Sequence, residues 1–388
     1  MLFRGIHRLL LVLQWIIGAA GFFLPALILG ESIDVGLQPF SAMFMAFILG
    51  VLSLCVHEGG HYLGARCAGM TVLSVRVLAM ELQPLQHGWK LRWSRHAKGQ
   101  PLGGYVMAAH APQQPMRQAM LVFTLAGPLL NLLVAGLCLA VSPLVAGEFA
   151  ALLLALGVCN LSTGLANLIP TVTPGRVSDG AGFVAWLSKP DEQGPALANV
   201  RLLALTVAGT QAEDLPDVDL EQLSAEPLPA SLTALGYRLY ARQNLGDWAA
   251  AVALGNELQA LLVAPPAALQ HSMVLLSIVR AELTFSRAMH ALDARELNDF
   301  LFNAQIDWYV PSFRPRCLAL RAALAGDTER TAHFVQQATD LAANSQDRSQ
   351  RLREQRLAGY IQALLKAPAD SPAQPDPAPT TAVPAASN

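Results

Sequence analysis

The chain begins with long uncharged apolar runs and ends with shorter amphipathic ones. Four runs are long enough to cross a bilayer core of about 30 Å: Leu9 to Leu29, Phe40 to about Gly64, about Gln118 to Val141, and about Phe149 to Pro170. A buried core helix of a soluble protein could mimic one of them, but hardly all four. A cleaved leader is the competing reading of the first run. Its apolar stretch is long for that, and no clear small-x-small cleavage site precedes Glu31, so it is expected to remain as a span. Between the second and third runs the period changes. Thr71 to Val77 alternates with β-branched residues, Gly88 to Trp93 alternates apolar with basic, and Pro101 to Val106 follows. These segments predict short β-hairpins at a membrane interface, with tryptophans at headgroup depth.

The second half has another composition. Residues 189–230 carry acids and prolines and are expected to form a linker with a short helix or two. From Ser231 to about Lys366 apolar positions recur at helical spacing. Leu245-Gly246-Asp247-Trp248 and Leu324-Ala325-Gly326-Asp327 each predict a corner between two helices. The array is compatible with a tetratricopeptide-type repeat and equally with a plain helical bundle. Residues 367–388 are rich in proline and alanine and are expected to be disordered. The expected architecture is an α-helical integral membrane protein. It has about four transmembrane helices with interfacial β-hairpins in residues 1–188, the linker, an α-helical cytoplasmic domain over 231–366, and the tail.

Composition agrees with a membrane protein. The chain is 53% hydrophobic and 14% charged, too apolar for an ordinary soluble protein. A formal net charge of -2 argues against nucleic acid as a partner. The five cysteines form no CxxC pair, which predicts free thiols. Cys55 is read as a packing residue despite its place near the motif described next. Basic residues orient the spans. Arg4 and Arg8 precede the first, Arg66 to Arg117 lie between the second and third, and Arg176 follows the fourth. The two remaining loops hold only Glu31, Asp34 and Glu148. The excess of Lys and Arg therefore puts both termini and the 71–110 segment in the cytoplasm.

The second span ends on Val56-His57-Glu58-Gly59-Gly60-His61. On a helix, His57 and His61 stand one turn apart and can grip one zinc ion, while Glu58 can serve as general base. Ionisable groups in apolar helices are rare and usually functional. Two histidines satisfied as ordinary polar residues are the plainer reading. A third ligand has to come from another helix. Asp179-Gly180, just past the fourth span, lies at matching depth; an ordinary Asp-Gly surface turn is its competing reading. His87, His96 and His110 default to loop histidines.

The motifs His57-Glu58-Gly59-Gly60-His61, Pro101 to Val106, Ala126-Gly127-Pro128-Leu129-Leu130-Asn131 and Asn167-Leu168-Ile169-Pro170 with Asp179-Gly180 resemble, in order, the site-2 protease family of intramembrane zinc metalloproteases. The resemblance covers about residues 5 to 188. It implies Zn2+ held by His57, His61 and Asp179, with Glu58 as catalytic base and Asn167 helping to stabilise the oxyanion or bind the substrate strand. Substrates would be transmembrane protein segments within the lipid bilayer. The spacer from Thr171 to Ser178 is longer than the family's, Ala181 stands where the family has a second glycine, and no PDZ-like insertion occurs between the spans. Two other functions compete: a catalytically silent relative that binds membrane segments as a scaffold, and a transporter using intramembrane His and Asp. The transporter lacks a visible inverted repeat. The C-terminal helical domain would offer a docking surface to a cytoplasmic protein partner.

Overall fold

The computed structural model describes residues 2–32, 39–93, 103–173 and 176–366. Four helices are long and apolar enough to cross a membrane, spanning Gly5–Ser32, Phe40–Cys67, Met116–Leu144 and Glu148–Leu168. They belong to α1 (Leu2–Ser32), α2 (Pro39–Cys67), α3 (Met116–Val141) and α4 (Glu148–Leu168). Leucine, phenylalanine and tryptophan side chains on their outer faces are exposed, among them Trp15, Phe44 and Leu133. The buried contacts between them use small or polar residues such as Ala46, Ser53, Ala135, Ala155 and Asn160. Apolar side chains gain little from meeting one another in lipid, so close approach and internal hydrogen bonds hold such bundles together.

Four strands follow α2: β1 (Thr71–Val77), β2 (Met80–Pro84), β3 (Trp89–Trp93) and β4 (Gly104–Ala109). They form one antiparallel sheet in the order β3-β2-β1-β4. Val75 opposes both Leu82 and Val106, and the register of β1 against β4 shifts between Val72 and Ser74. Among the described residues the outer side of β4 carries no further strand. Strand β3 shows the alternation the sequence predicts, with an inverted sense. Trp89, Leu91 and Trp93 are exposed, while Lys90 and Arg92 turn inward. Residues 94–102, with His96 and Pro101-Leu102, lie outside the described residues, as does the tail 367–388.

After α4 a small hairpin, β5 (Val172–Thr173) and β6 (Arg176–Val177), leads into α5 (Asp179–Leu187). The stretch read as a linker then contains α6 (Ala198–Ala208) and α7 (Asp217–Ala225). Leu202, Leu215, Leu220 and Leu223 from this stretch pack on Ala234 of α8 (Ala230–Asn244). The chain continues through α9 (Trp248–Leu261), α10 (Pro266–His271) and α11 (Met273–Ala291). It ends in α12 (Ala304–Tyr309), α13 (Phe313–Leu324), α14 (Thr328–Ala343) and α15 (Arg348–Leu364). Both predicted corners are present. Asp247 accepts from the Ala250 amide and Asp327 from the Arg330 amide, capping α9 and α14.

This helical half rests on the sheet. The Trp308 indole donates to Glu81 Oε1 at 3.4 Å, and Arg92 reaches Glu81 and the Tyr309 hydroxyl, each at 2.7 Å. The Lys90 ammonium and Arg92 guanidinium lie 4.8 and 4.5 Å from the Trp308 ring centre. Gln86 and His87 amides donate to Asn344 at 2.9 and 2.7 Å. Inversion of β3 thus leaves an apolar outer face and a basic face that holds aromatic rings.

Within the helical half, Arg316, Glu282, Arg353 and Glu354 form a buried charge network, with Arg316 2.7 Å from Glu282 and 3.1 Å from Glu354. Burial alone would push the Glu282 carboxyl up; the Arg316 and Arg353 guanidiniums outweigh it and hold it down at about 2. That folded value lies below the unfolded one, about 4.3. The stabilisation is therefore complete above the unfolded value and is lost as pH falls toward 2. Glu282→Gln removes it at neutral pH, leaving two buried cations short of a partner. It should cost about 3–5 kcal/mol, read as accelerated hydrogen exchange in α11 and α13 with the membrane helices unchanged.

Candidate metal centre

Helix α2 carries His57 and His61 one turn apart on a buried face, 4% and 6% exposed. It crosses α3 closely. A Cβ on Gly127 would overlap the His61 ring, and one on Gly60 would meet the Ala126 carbonyl. This approach brings Asn131 and the Phe123 carbonyl of α3 to the two imidazoles. His57 Nδ1 lies 2.7 Å from Asn131 Oδ1, and His61 Nδ1 lies 2.7 Å from the Phe123 oxygen. The Asn131 amide donates to the Ser53 carbonyl at 2.9 Å and to Asn160 Oδ1 at 2.8 Å, so its own oxygen is left as an acceptor. Both Nδ1 atoms must therefore donate, which assigns their protons there and leaves each Nε2 with a bare lone pair.

Those lone pairs converge. His57 Nε2 and His61 Nε2 are 3.2 Å apart. Asp179 adds its oxygens at 3.0 Å from the first and 3.3 Å from the second. Three donors about 2.0–2.1 Å from a zinc ion at tetrahedral angles would be about 3.3 Å apart. Two lone pairs and a carboxylate facing one another are repulsive unless a cation or protons lie between them. Burial tends to raise the Asp179 carboxyl; protons added at the two Nε2 atoms would donate to it, outweigh burial and hold it at about 2. A divalent ion supplies the same compensation while the imidazoles stay neutral. Among the described residues, these three are the only group of His, Cys, Asp and Glu close enough to share an ion. The residues fit Zn2+.

Asp179 arrives by an indirect route. Within the spacer from Thr171 to Ser178, Val172 pairs with Val177 and Thr173 with Arg176, which brings Ser178 back beside Thr171. The Ser178 amide donates to the Thr171 carbonyl at 3.0 Å. The Ser178 hydroxyl accepts from the Thr171 amide at 2.9 Å, donates to the Ile169 carbonyl at 2.7 Å, and caps α5 through the Ala181 amide. The longer spacer is thus absorbed before the metal ligand is reached. Gly180 then touches the Leu168 carbonyl so closely that any Cβ would overlap it. At the first position of α5, the Asp179 carboxylate also gains from the helix N-terminus.

Glu58 is 4% exposed, and its Oε2 has no hydrogen-bond partner. Its carboxyl packs against Gly104 at the start of β4, where a Cβ would collide with it. An unpartnered buried carboxylate oxygen beside a metal-type cluster suits a group that accepts a proton from water. Asn167 sits in the last turn of α4 with its amide donating to the Thr163 carbonyl at 3.0 Å. No hydrogen bond ties it to His57, His61 or Asp179 among the described residues. His87 binds the C-terminal half through its amide; His110 is buried at the end of β4; Cys55 is exposed on α2. None of the three belongs to the cluster.

Sequence reasoning left Asn131 without a role, although it stands in a quoted motif. Its signal is an amide side chain in the middle of an apolar helix. Asn131→Leu keeps the volume but frees the His57 ring. Loss of such an orienting partner typically costs about 10–100-fold in metal affinity, measurable by competition with a fluorescent chelator.

Residues 44–148 match the sequence model of Peptidase family M50, the site-2 protease family, which bears out the resemblance carried by the motifs. This family is generally zinc-dependent. The matched stretch holds His57, Glu58, His61, Gly104 and Asn131 and stops before Asp179. No curated protein and no solved structure matches the chain.

Proposed function

We propose, from the similarity of residues 44–148 to the M50 peptidases, that this membrane protein is a zinc-dependent endopeptidase that cuts transmembrane segments of other membrane proteins. The observation that carries the reading is the convergence of two bare imidazole nitrogens and one carboxylate beside the unpartnered Glu58, within a bundle of four apolar helices. His57, His61 and Asp179 would hold the ion. Zinc, when bound, supplies a Lewis acid that acidifies water and polarises the scissile carbonyl. Glu58 takes the proton of the attacking water and passes it to the leaving amine. Asn131 and the Phe123 carbonyl keep the imidazoles in one tautomer. Asn167, next to the same end of α4, is assigned to the substrate strand or the developing oxyanion.

A substrate helix has its carbonyls paired internally and must unwind before attack. Strand β4 begins against Glu58 and, among the described residues, pairs with no strand on its outer edge, so it is suited to hold the unwound strand by β-addition. Tyr105 and Val106 point their amides to opposite sides by strand alternation. Proline at whichever of the two faces outward lowers cleavage while zinc content stays constant; cleavage intact in both variants counts against β-addition.

The exposed Trp89, Leu91 and Trp93 of β3 favour an interfacial sheet. With the distribution of Lys and Arg, they support cytoplasmic termini and a cytoplasmic C-terminal half. That half supplies a surface for a protein partner. The silent-scaffold alternative rests on the long spacer before Asp179, and the β5–β6 pairing within that spacer speaks against it. The test is a purified preparation assayed for zinc and for cleavage of a membrane-spanning peptide, with and without 1,10-phenanthroline. Zinc near one equivalent and chelator-sensitive cleavage support the reading, whereas a metal-free, inactive preparation that resists zinc loading rejects it.

A further inference from the structure

Gln14 is the one amide side chain in the uncharged run from Leu9 to Leu29. Leu13 and Trp15 beside it are exposed, while the Gln14 amide turns to the end of α4. Its Nε2 donates to the Ala166 carbonyl at 3.0 Å, and its Oε1 accepts from the Thr171 hydroxyl at 2.9 Å. Polar groups inside apolar membrane helices are costly and usually functional. Here both ends of the amide are used, and the two partners flank Asn167-Leu168-Ile169-Pro170 on either side.

The need for a donor from α1 is written into α4. In a continuing helix the Ala166 carbonyl would accept from the amide of residue 170, but that residue is proline and has no N–H. A bare carbonyl at the end of a membrane span is costly, because lipid offers it no donor. Gln14 supplies the missing one. Its second bond reaches Thr171, which is buried. The Thr171 amide donates to the Ser178 hydroxyl, and the Thr171 carbonyl accepts from the Ser178 amide. Ser178 in turn caps the helix that Asp179 begins. The last turn of α4 is also the surface on which Gly180 packs, through the Leu168 carbonyl. Two links therefore run from α1 to the support of Asp179: Gln14 to Thr171, and Thr171 to Ser178.

We propose that Gln14 is a positioning residue of the metal centre, an inference that rests on the zinc reading given above. By holding the Ala166 carbonyl and the Thr171 hydroxyl together, it sets where α4 stops and where the β5–β6 hairpin starts. It thereby sets the reach of Asp179 toward His57 and His61. The first span lies outside residues 44–148, the stretch matched to the peptidase family, so the match assigns it no part in the site. The competing account is a packing amide that merely joins two helices. Ser162 offers the comparison, since its hydroxyl donates to the Ile17 carbonyl between the same two helices.

The test uses variants of the full chain in detergent micelles. Gln14→Leu suits a membrane helix, so the span still inserts. In the metal-free protein, amide hydrogen exchange in residues 166–173 and 176–181 should rise about tenfold, the effect of one lost hydrogen bond on local opening. Zinc affinity, read by chelator competition, should fall about tenfold, the lower end of the loss when the support behind a metal ligand is removed. Cobalt(II) loaded in place of zinc should show altered visible bands, because these follow ligand geometry. Thr171→Val should weaken zinc binding too, and adding it to Gln14→Leu should change nothing further, as for two members of one unit. Ser162→Ala should match the unaltered chain in all three measurements. Unchanged exchange in Gln14→Leu, additive losses in the double variant, or an equal loss in Ser162→Ala each overturns the proposal. Exchange is read without zinc or cleavage, so it decides the role of Gln14 even if the unaltered chain holds no metal, an outcome that fails the protease reading alone.

Discussion

Glu58→Gln leaves the zinc content of the purified protein unchanged and lowers cleavage of a membrane-spanning peptide by about 10²–10⁴-fold, the usual contribution of a positioned general base. Glutamine has the shape of glutamate and fits the same space under Gly104, so the strand beside it stays in place. What is lost is the ability to accept a proton. The three side chains that would hold the ion are His57, His61 and Asp179, and none of their mutual contacts passes through Glu58. Metal analysis and mass-spectrometric detection of products, on one preparation, separate the two effects. A membrane-segment scaffold would retain its activity in this variant, and so would a transporter. Undiminished cleavage with intact zinc would remove Glu58 from the reaction.

Gly180→Ala empties the metal centre although residue 180 touches no ligand ring. Its Cβ would overlap the Leu168 carbonyl oxygen, a backbone atom at the end of a buried helix that has nowhere to go. The first turn of α5 must therefore move away from α4, taking the Asp179 carboxylate with it. Displacement by about 1 Å at a site of this kind costs on the order of 10²-fold, and here it falls on one of only three protein ligands. Zinc affinity should drop by at least that factor, with helix content unchanged by circular dichroism. Gly182→Ala is the control: two residues on, its Cβ meets only the Thr124 methyl at 3.3 Å, and zinc should stay bound. Equal zinc retention by both variants would contradict the idea that the Leu168–Gly180 contact sets the reach of Asp179.

The metal cluster was legible because its first two members obey a fixed local spacing, one helical turn, and the third follows an apolar run at the same depth. Length and apolarity alone sufficed for the four spans. Asn131 escaped assignment for a different reason. Its meeting with His57 depends on how far α2 and α3 slide along each other, which the small residues Gly60 and Gly127 determine and no single-helix pattern encodes. The grip of Trp308 and Tyr309 on β3 was hidden in the same way: more than two hundred residues separate the partners. Alternation in β3 predicted a two-faced strand, but which face turned inward depended on rings contributed by a distant helix. The long spacer before Asp179 looked like a departure because sequence counts residues along the chain, whereas a hairpin cancels its own length.

The seating of α12 on β3 gives the molecule a weak seam with a defined failure point. The C-terminal half grips Lys90 and Arg92 of β3, Glu81 of β2 and the Gln86–His87 turn between them, so a pull on that half is delivered to the β2–β3 hairpin first. The β2–β3 hairpin can peel from β1 while β1 stays paired with β4. Tension from outside is thereby dissipated one strand before it reaches the edge beside Glu58.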